Sequence, residues 1–185
     1  KLKTRVIRDF FGHLRASLPQ ARLSADLFGL VTVNTDGLGV GQHLEYALPY
    51  FDYVAPMTYP SHYFKGFIGH KNPAEAPNEV IKYSMEAAVR RAKKYKATLT
   101  AKQLQAAQLA NIATPTPPVI AKLRPWFQDF DLGADYDAQK VRAQIRAWYD
   151  VASTAPEMYD GWMLWNARNV YTREALTQEP LATGD

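Results

Sequence analysis

Strand-like and helix-like patterns alternate along the 185 residues, which predicts an α/β fold with a parallel sheet packed under helices. Three observations carry this. Apolar runs of strand length occupy residues 22–30, 52–59, 123–129 and 161–166. Apolar stripes at helical spacing separate them. Signals for tight turns between neighbouring strands are scarce. An open doubly wound sheet and a β/α barrel both satisfy the pattern. In either one, ligands bind at the carboxyl ends of the strands.

The elements follow in order. Residues 1–20 read as a helix with Ile7, Phe11, Leu14 and Leu18 on one face, ended by Pro19. The first strand, RLSADLFGL, runs over 22–30. A glycine-rich loop at 36–41 and a short helix at 41–48 lead to the second strand, 52–59. The loop 60–77 is long enough to suggest function. Pro77 suits the first turn of the next helix, where Ile81, Met85, Ala88, Ala92 and Tyr95 keep helical spacing. Residues 98–118 are less regular, with a short helix expected around 101–111. Pro115, Pro117 and Pro118 then enforce an extended connector. The third strand, LRPWFQD, covers 123–129. Asp137 is placed to cap a helix over 138–152, striped by Val141, Ile145, Trp148 and Ala152. The fourth strand is GWMLWN, and a polar tail is expected from Arg173 onward.

Composition excludes several classes. At 47% hydrophobic and 22% charged, the chain is globular and not disordered. The net charge of +4 is modest. Arg90, Arg91, Lys93, Lys94 and Lys96 crowd one helix and read as a solvated face; no nucleic-acid motif accompanies them. With no cysteine, disulfides and thiolate chemistry are out. No apolar run approaches the ~20 residues that span a bilayer. The chain opens at Lys1 already in a helical pattern, so the native start is expected upstream.

Polar residues gather at the strand ends: Asp26, Tyr59 to Tyr63, Gln128 with Asp129, and Asn166. Asp26 lies in an otherwise apolar strand, where a carboxylate is costly unless paired, hydrogen-bonded or protonated. A raised pKa there would suit a general acid; a structural aspartate that fixes a loop or a neighbouring side chain is the alternative. Asp129 is the second candidate catalytic carboxylate. It could orient hydroxyls or raise the pKa of a partner, or merely cap the following loop. Gln128 and Asp129 point to opposite sides of their strand, and which of them faces inward stays open. Tyr59, Tyr63, Trp126 and Trp165 offer flat faces on which sugar rings stack, while Trp162 is better read as core. His62 could bond a substrate or carry a proton, and Asn166 could bond hydroxyls. His13, His43 and His70 are far apart and lack metal-ligand spacing. Gly37, Gly39 and Gly41 form G-x-G-x-G without the third position of a dinucleotide loop or a following Lys-Ser/Thr, so a tight loop before a helix explains them better.

These motifs also carry a resemblance. FDYVAPMTYPSHY, LRPWFQDF and DGWMLWNARNVYT resemble the last three strand segments of the bacterial putative glycoside hydrolases, a TIM-barrel family long treated as a domain of unknown function. RLSADLFG followed by DGLGVGQHLEYALPYFDYVAPM resembles the segment before them. The likeness runs from about Arg5 to Thr172. It implies a (β/α)8 barrel of which this chain holds strands five to eight in residues 1–172, followed by the tail 173–185. A whole barrel needs about 250 residues, so an N-terminal half-barrel is expected upstream. The family's acidic strand-four motif, like FDYVRFP, is not in this sequence. The resemblance suggests an acid/base role for Asp26, with the second carboxylate upstream. It implies cleavage of a polysaccharide of the bacterial envelope or surroundings, outside the cytoplasm, with no cofactor and no metal. Two rivals are a non-catalytic carbohydrate-binding barrel and a metal-dependent barrel hydrolase, the latter disfavoured by the scattered histidines.

Overall fold

A computed structural model of the chain describes residues 2–176. Helix α1 (Leu2–Ser17) turns its Phe11 face inward, with Ile7 and Leu14 packed alongside. Near its end, Arg15 donates to the carbonyls of Ala21 (2.9 Å) and Tyr50 (2.6 Å) and to the Asp52 carboxylate (2.6 Å). Asp52 also accepts the Leu23 N–H at 2.8 Å. That bond first, and Arg15 second, hold its carboxyl below the usual aspartate range. One aspartate thereby ties the start of strand β1 (Ser24–Phe28) to the start of β2 (Tyr53–Met57).

The sheet is parallel throughout, in the order β1-β2-β4-β5. The single third strand expected over 123–129 is split into β3 (Lys122–Leu123) and β4 (Trp126–Gln128), both paired with β2. Pro125, which has no N–H to donate, lies at the break. Strand β5 (Met163–Trp165) completes the order. Between β1 and β2, α2 (Leu44–Ala47) is one turn, shorter than the helix expected over 41–48.

Two long helices cover one face of the sheet. Helix α3 (Pro77–Ala110) absorbs the separate short helix expected around 101–111. Thr98 and Thr100 weaken the helical signal there, but their hydroxyls donate back to the carbonyls of Lys94 and Lys96. Asn111, in the left-handed region at φ +51°, ends the helix. Helix α4 (Ala138–Ser153) starts at Asp137, whose side chain accepts the Lys140 N–H at 2.9 Å. Ala25, Leu27, Val54, Leu123 and Phe127 meet Ile81, Met85, Val141, Ile145 and Trp148 in the core between sheet and helices.

The other face is only partly covered. Strand register aligns Phe28, Met57, Trp126 and Met163 in a row across it, and Phe28 is 52% exposed. The outer edges of β1 and β5 pair with no other strand among the described residues. The tail expected from Arg173 begins with a 3-10 turn, Arg173–Ala175, whose Ala175 is buried in the main core; residues 177–185 of it lie outside the described residues. Among the described residues, no helix is long and apolar enough to cross a membrane.

Candidate functional site

Asp26 does not sit in an apolar interior. In β1, Ala25 and Leu27 take the buried side, which leaves Asp26 on the exposed side with Ser24 and Phe28. This corrects the expectation of a carboxylate embedded in the strand: alternation, not burial, sets its surroundings. Its partner is the indole of Trp126, which donates from Nε1 to Oδ1 at 3.0 Å. Trp126 meets Trp165 edge to face at 6.1 Å, and Trp165 is 43% exposed at the end of β5. A carboxylate with a fixed indole donor therefore stands beside two aromatic rings on the open face.

The turn after β2 brings Tyr59 and His62 to the strand ends. Tyr59 is buried edge-on against His62 (5.2 Å) and Phe130 (5.6 Å). Burial first, then the negative charge of Asp26, then Tyr171, push the Tyr59 phenol up, so it keeps its proton. The outer edge of His62 meets solvent. Its packing against Tyr59 and Phe130 removes enough water from the ring to lower its pKa. Tyr63 is buried in a small cluster with Phe67 and Val80. Its hydroxyl accepts from Ser84 at 2.9 Å, and burial pushes it up to about 12.

Two cavities meet at His62. A polar one of about 540 Å³ is lined by His62, Asp129, Tyr136, Trp165, Asn166 and Arg168, among others. A second, of about 580 Å³, is walled by Phe28, Leu38, Val40, Met57, Tyr59 and Tyr63 as well as His62. The candidates Asp26 and Trp126 line neither; they stand beside them on the open sheet face.

Asp129 is buried, and its carboxylate accepts both the N–H (2.9 Å) and the hydroxyl (2.7 Å) of Thr172. Its backbone carbonyl accepts the Asn166 amide, and Asn166 Oδ1 accepts the Arg168 N–H at 2.8 Å. Asp129 and Asn166 thus pin the segment 166–172 that walls the polar cavity. Gln128 departs from its expected contact with substrate. It is fully buried and lines neither cavity. Its Oε1 accepts the Ser61 N–H at 3.1 Å and its Nε2 donates to the Phe130 carbonyl at 2.9 Å. It therefore fixes the turn that carries His62. Trp162 stacks on Phe127 and donates to the Tyr149 hydroxyl, a packing role. Sequence reasoning passed over Phe130, the ring that backs both Tyr59 and His62, although it stands inside the WFQDF run. Among the described residues, no three His, Asp or Glu side chains gather as a metal site would require.

Phenols and indoles gather at the carboxyl ends of parallel strands, and Asp26, expected at a strand end, instead stands mid-strand in β1 beside them. This is an α/β protein with its cleft where β/α enzymes place theirs. The chain belongs to the putative glycosyl hydrolase domain family, whose profile matches residues 1–171, and membership implies carbohydrate as the class of substrate. No curated protein and no solved structure matches it at significant similarity.

Proposed function

We propose that the chain forms the acid-bearing part of a β/α-barrel glycoside hydrolase that cleaves a polysaccharide of a bacterial envelope or its surroundings. The observation that carries this is the Asp26 carboxylate, oriented by the Trp126 indole on an exposed aromatic face. In the reaction, Asp26 protonates the leaving glycosidic oxygen. The carboxylate that remains accepts the indole N–H, a charge-assisted bond stronger than the neutral one. Trp126, Trp165, Tyr59 and Tyr63 shape the subsites; His62, Asn166 and Asp129 position the sugar. Further β/α units would close the barrel and bring the opposing carboxylate. The outer edges of β1 and β5, unpaired among the described residues, and the partly exposed row of Phe28, Met57, Trp126 and Met163, support that closure.

The test is Asp26→Asn in the intact protein. Glycan hydrolysis should fall by roughly 10²–10⁴, and survival within a few-fold would remove Asp26 from the acid role. One observation favours a second reading, a non-catalytic carbohydrate-binding barrel. Both oxygens of Asp129 are held by Thr172, which suits a loop clamp better than a reacting group. Glycan binding without product release from the intact protein would select that reading.

A further inference from the structure

The glycine loop between β1 and α2 has no part in the chemistry above, and its geometry does not serve a phosphate. A side chain at Gly37 (φ +77°) would put its Cβ 2.8 Å from His43 Nε2, and one at Gly41 (φ +90°) would meet the Lys3 backbone at 2.8 Å. These glycines seat the loop closely on α1 and His43. At its two ends the loop is anchored. Asp36 accepts the Leu38 N–H at 2.9 Å, and Gln42 Oε1 accepts the Phe28 N–H at 2.8 Å. Between the anchors Leu38 is held at φ +53°, a left-handed backbone that leucine rarely adopts.

This backbone presents Leu38 and Val40 to the 580 Å³ cavity, opposite a floor that includes Phe28 and Met57. Val40 is 45% exposed. The cavity shares His62 with the polar one, and it is itself lined by Tyr59, whose phenol feels the charge of Asp26.

We propose that this cavity is a subsite for an uncharged apolar group carried on the sugar: an acyl, alkyl or aryl substituent. The inference rests on the glycoside reading of Asp26 and names the kind of substrate that reading leaves open. Asn34 and Asp36 also line the cavity, but sugar hydroxyls placed against its Phe28, Leu38, Val40 and Met57 stretch would lose water bonds without replacement, whereas an apolar group gains from the same walls. Space is ample, because a dry cavity of about 150 Å³ already holds benzene. Because both cavities border His62, a ligand that spans this side chain would place its sugar in the polar cavity and its substituent in the apolar one.

Titration calorimetry on the intact protein tests this, in an Asp26→Asn background that arrests turnover. Methyl and phenyl glycosides of the same sugar are compared across a panel of hexoses, with benzyl alcohol as the sugar-free probe. Phenyl glycosides should bind about tenfold more tightly than their methyl counterparts. Val40→Asp should bring the two to within about twofold. Leu38→Gly, which suits the left-handed backbone and removes the side chain, should shrink the preference independently. A preference below about threefold, or one unchanged in both variants, overturns the proposal. Binding of benzyl alcohol that Val40→Asp abolishes, with no glycoside bound, keeps the apolar subsite and fails the glycoside reading. Failure of both probe classes overturns the subsite.

Discussion

Arg91 stood in the sequence as one member of a basic cluster on a helix, and the structure gives it a specific task. Its guanidinium makes a two-pronged pair with Glu45 at 2.6 and 2.8 Å. It also donates to the carbonyls of Val31 (2.5 Å), Thr32 (3.0 Å) and Asn34 (3.0 Å). One side chain of α3 thus holds both α2 and the loop after β1. Arg91→Met keeps the stem and removes every one of these bonds. Breaking a buried pair costs about 3–5 kcal/mol, because the remaining charge is stranded. The Arg91 and Glu45 side chains here keep 13% and 26% exposure, so water recovers part of that. The expected loss is about 2–4 kcal/mol, or a fall in Tm of about 6–12 °C for a chain of this size. The sign with pH follows from Glu45. Burial pushes its carboxyl up, but the Arg91 bonds, with help from its own backbone N–H, outweigh this and leave it below the usual 4.5. Its unfolded state therefore binds the proton more readily, so the contribution is complete above pH 4.5 and is lost as pH falls through the lower folded value. Thermal unfolding of parent and variant at pH 7 and pH 3 reads this directly. The gap should narrow at pH 3, and Glu45→Gln combined with Arg91→Met should cost less than the sum of the two. A loss under about 1 kcal/mol, or an equal gap at both pH values, refutes the clamp.

Three further perturbations test neighbouring parts. Gly29→Ala would put a Cβ 2.4 Å from the Met57 carbonyl and 3.0 Å from Thr58 Cα, both backbone, so about 3 kcal/mol should be lost; a urea midpoint unchanged from the parent contradicts the close approach. Gln144→Leu strands the buried N–H and carbonyl of Gln128, which Gln144 now serves at 2.9 and 2.8 Å. That should cost about 3 kcal/mol in urea unfolding, and a near-neutral result would mean that another group reaches them. His62 titrates below its ordinary 6.5 because packing against Tyr59 and Phe130 takes water from part of its ring. The unfolded state then binds more protons as pH falls below 6.5, so stability drops from there until the lower folded value is passed. His62→Gln should flatten that slope in melts between pH 5 and 7, and an unchanged slope assigns it elsewhere.

The parallel sheet and its covering helices were legible because apolar runs and helical stripes alternate along the chain. Asp26 shows where the reading bent. SADLF alternates plainly, with Ser24, Asp26 and Phe28 against Ala25 and Leu27, but the otherwise apolar run around it suggested an embedded carboxylate. The face that Asp26 occupies is the partly covered one. Local alternation was the better guide there than the overall apolar character of the run. Gln128 was illegible for another reason. Its amide is spent on the backbone of Ser61 and Phe130, partners set by a loop whose path no periodicity encodes. The union of two expected helices into α3 turned on threonines that helix propensity penalises but back-bonding accommodates. At Pro125 the break was written in the sequence and overlooked, because the flanking LRPWFQD run is otherwise strand-like.

Trp126 links the chemistry of the site to the closure of the sheet. Its N–H serves Asp26, while its ring continues the apolar row from Met57 to Met163. That row crosses strands about 4.8 Å apart, so it presents a continuous apolar strip on a sheet whose outer edges pair with nothing among the described residues. Such a surface is a liability in water. Under the proposed barrel, side chains of the opposite wall would fill in above this row, as interdigitated layers fill barrel interiors. The same closure would remove water from around Asp26 and strengthen its bond to the indole, since a charge-dipole contact gains as the local dielectric falls. Covering the strip and equipping the acid are then one event. Activity that required the closed barrel, while glycan binding persisted on the open face through Trp165, would be the signature of that coupling.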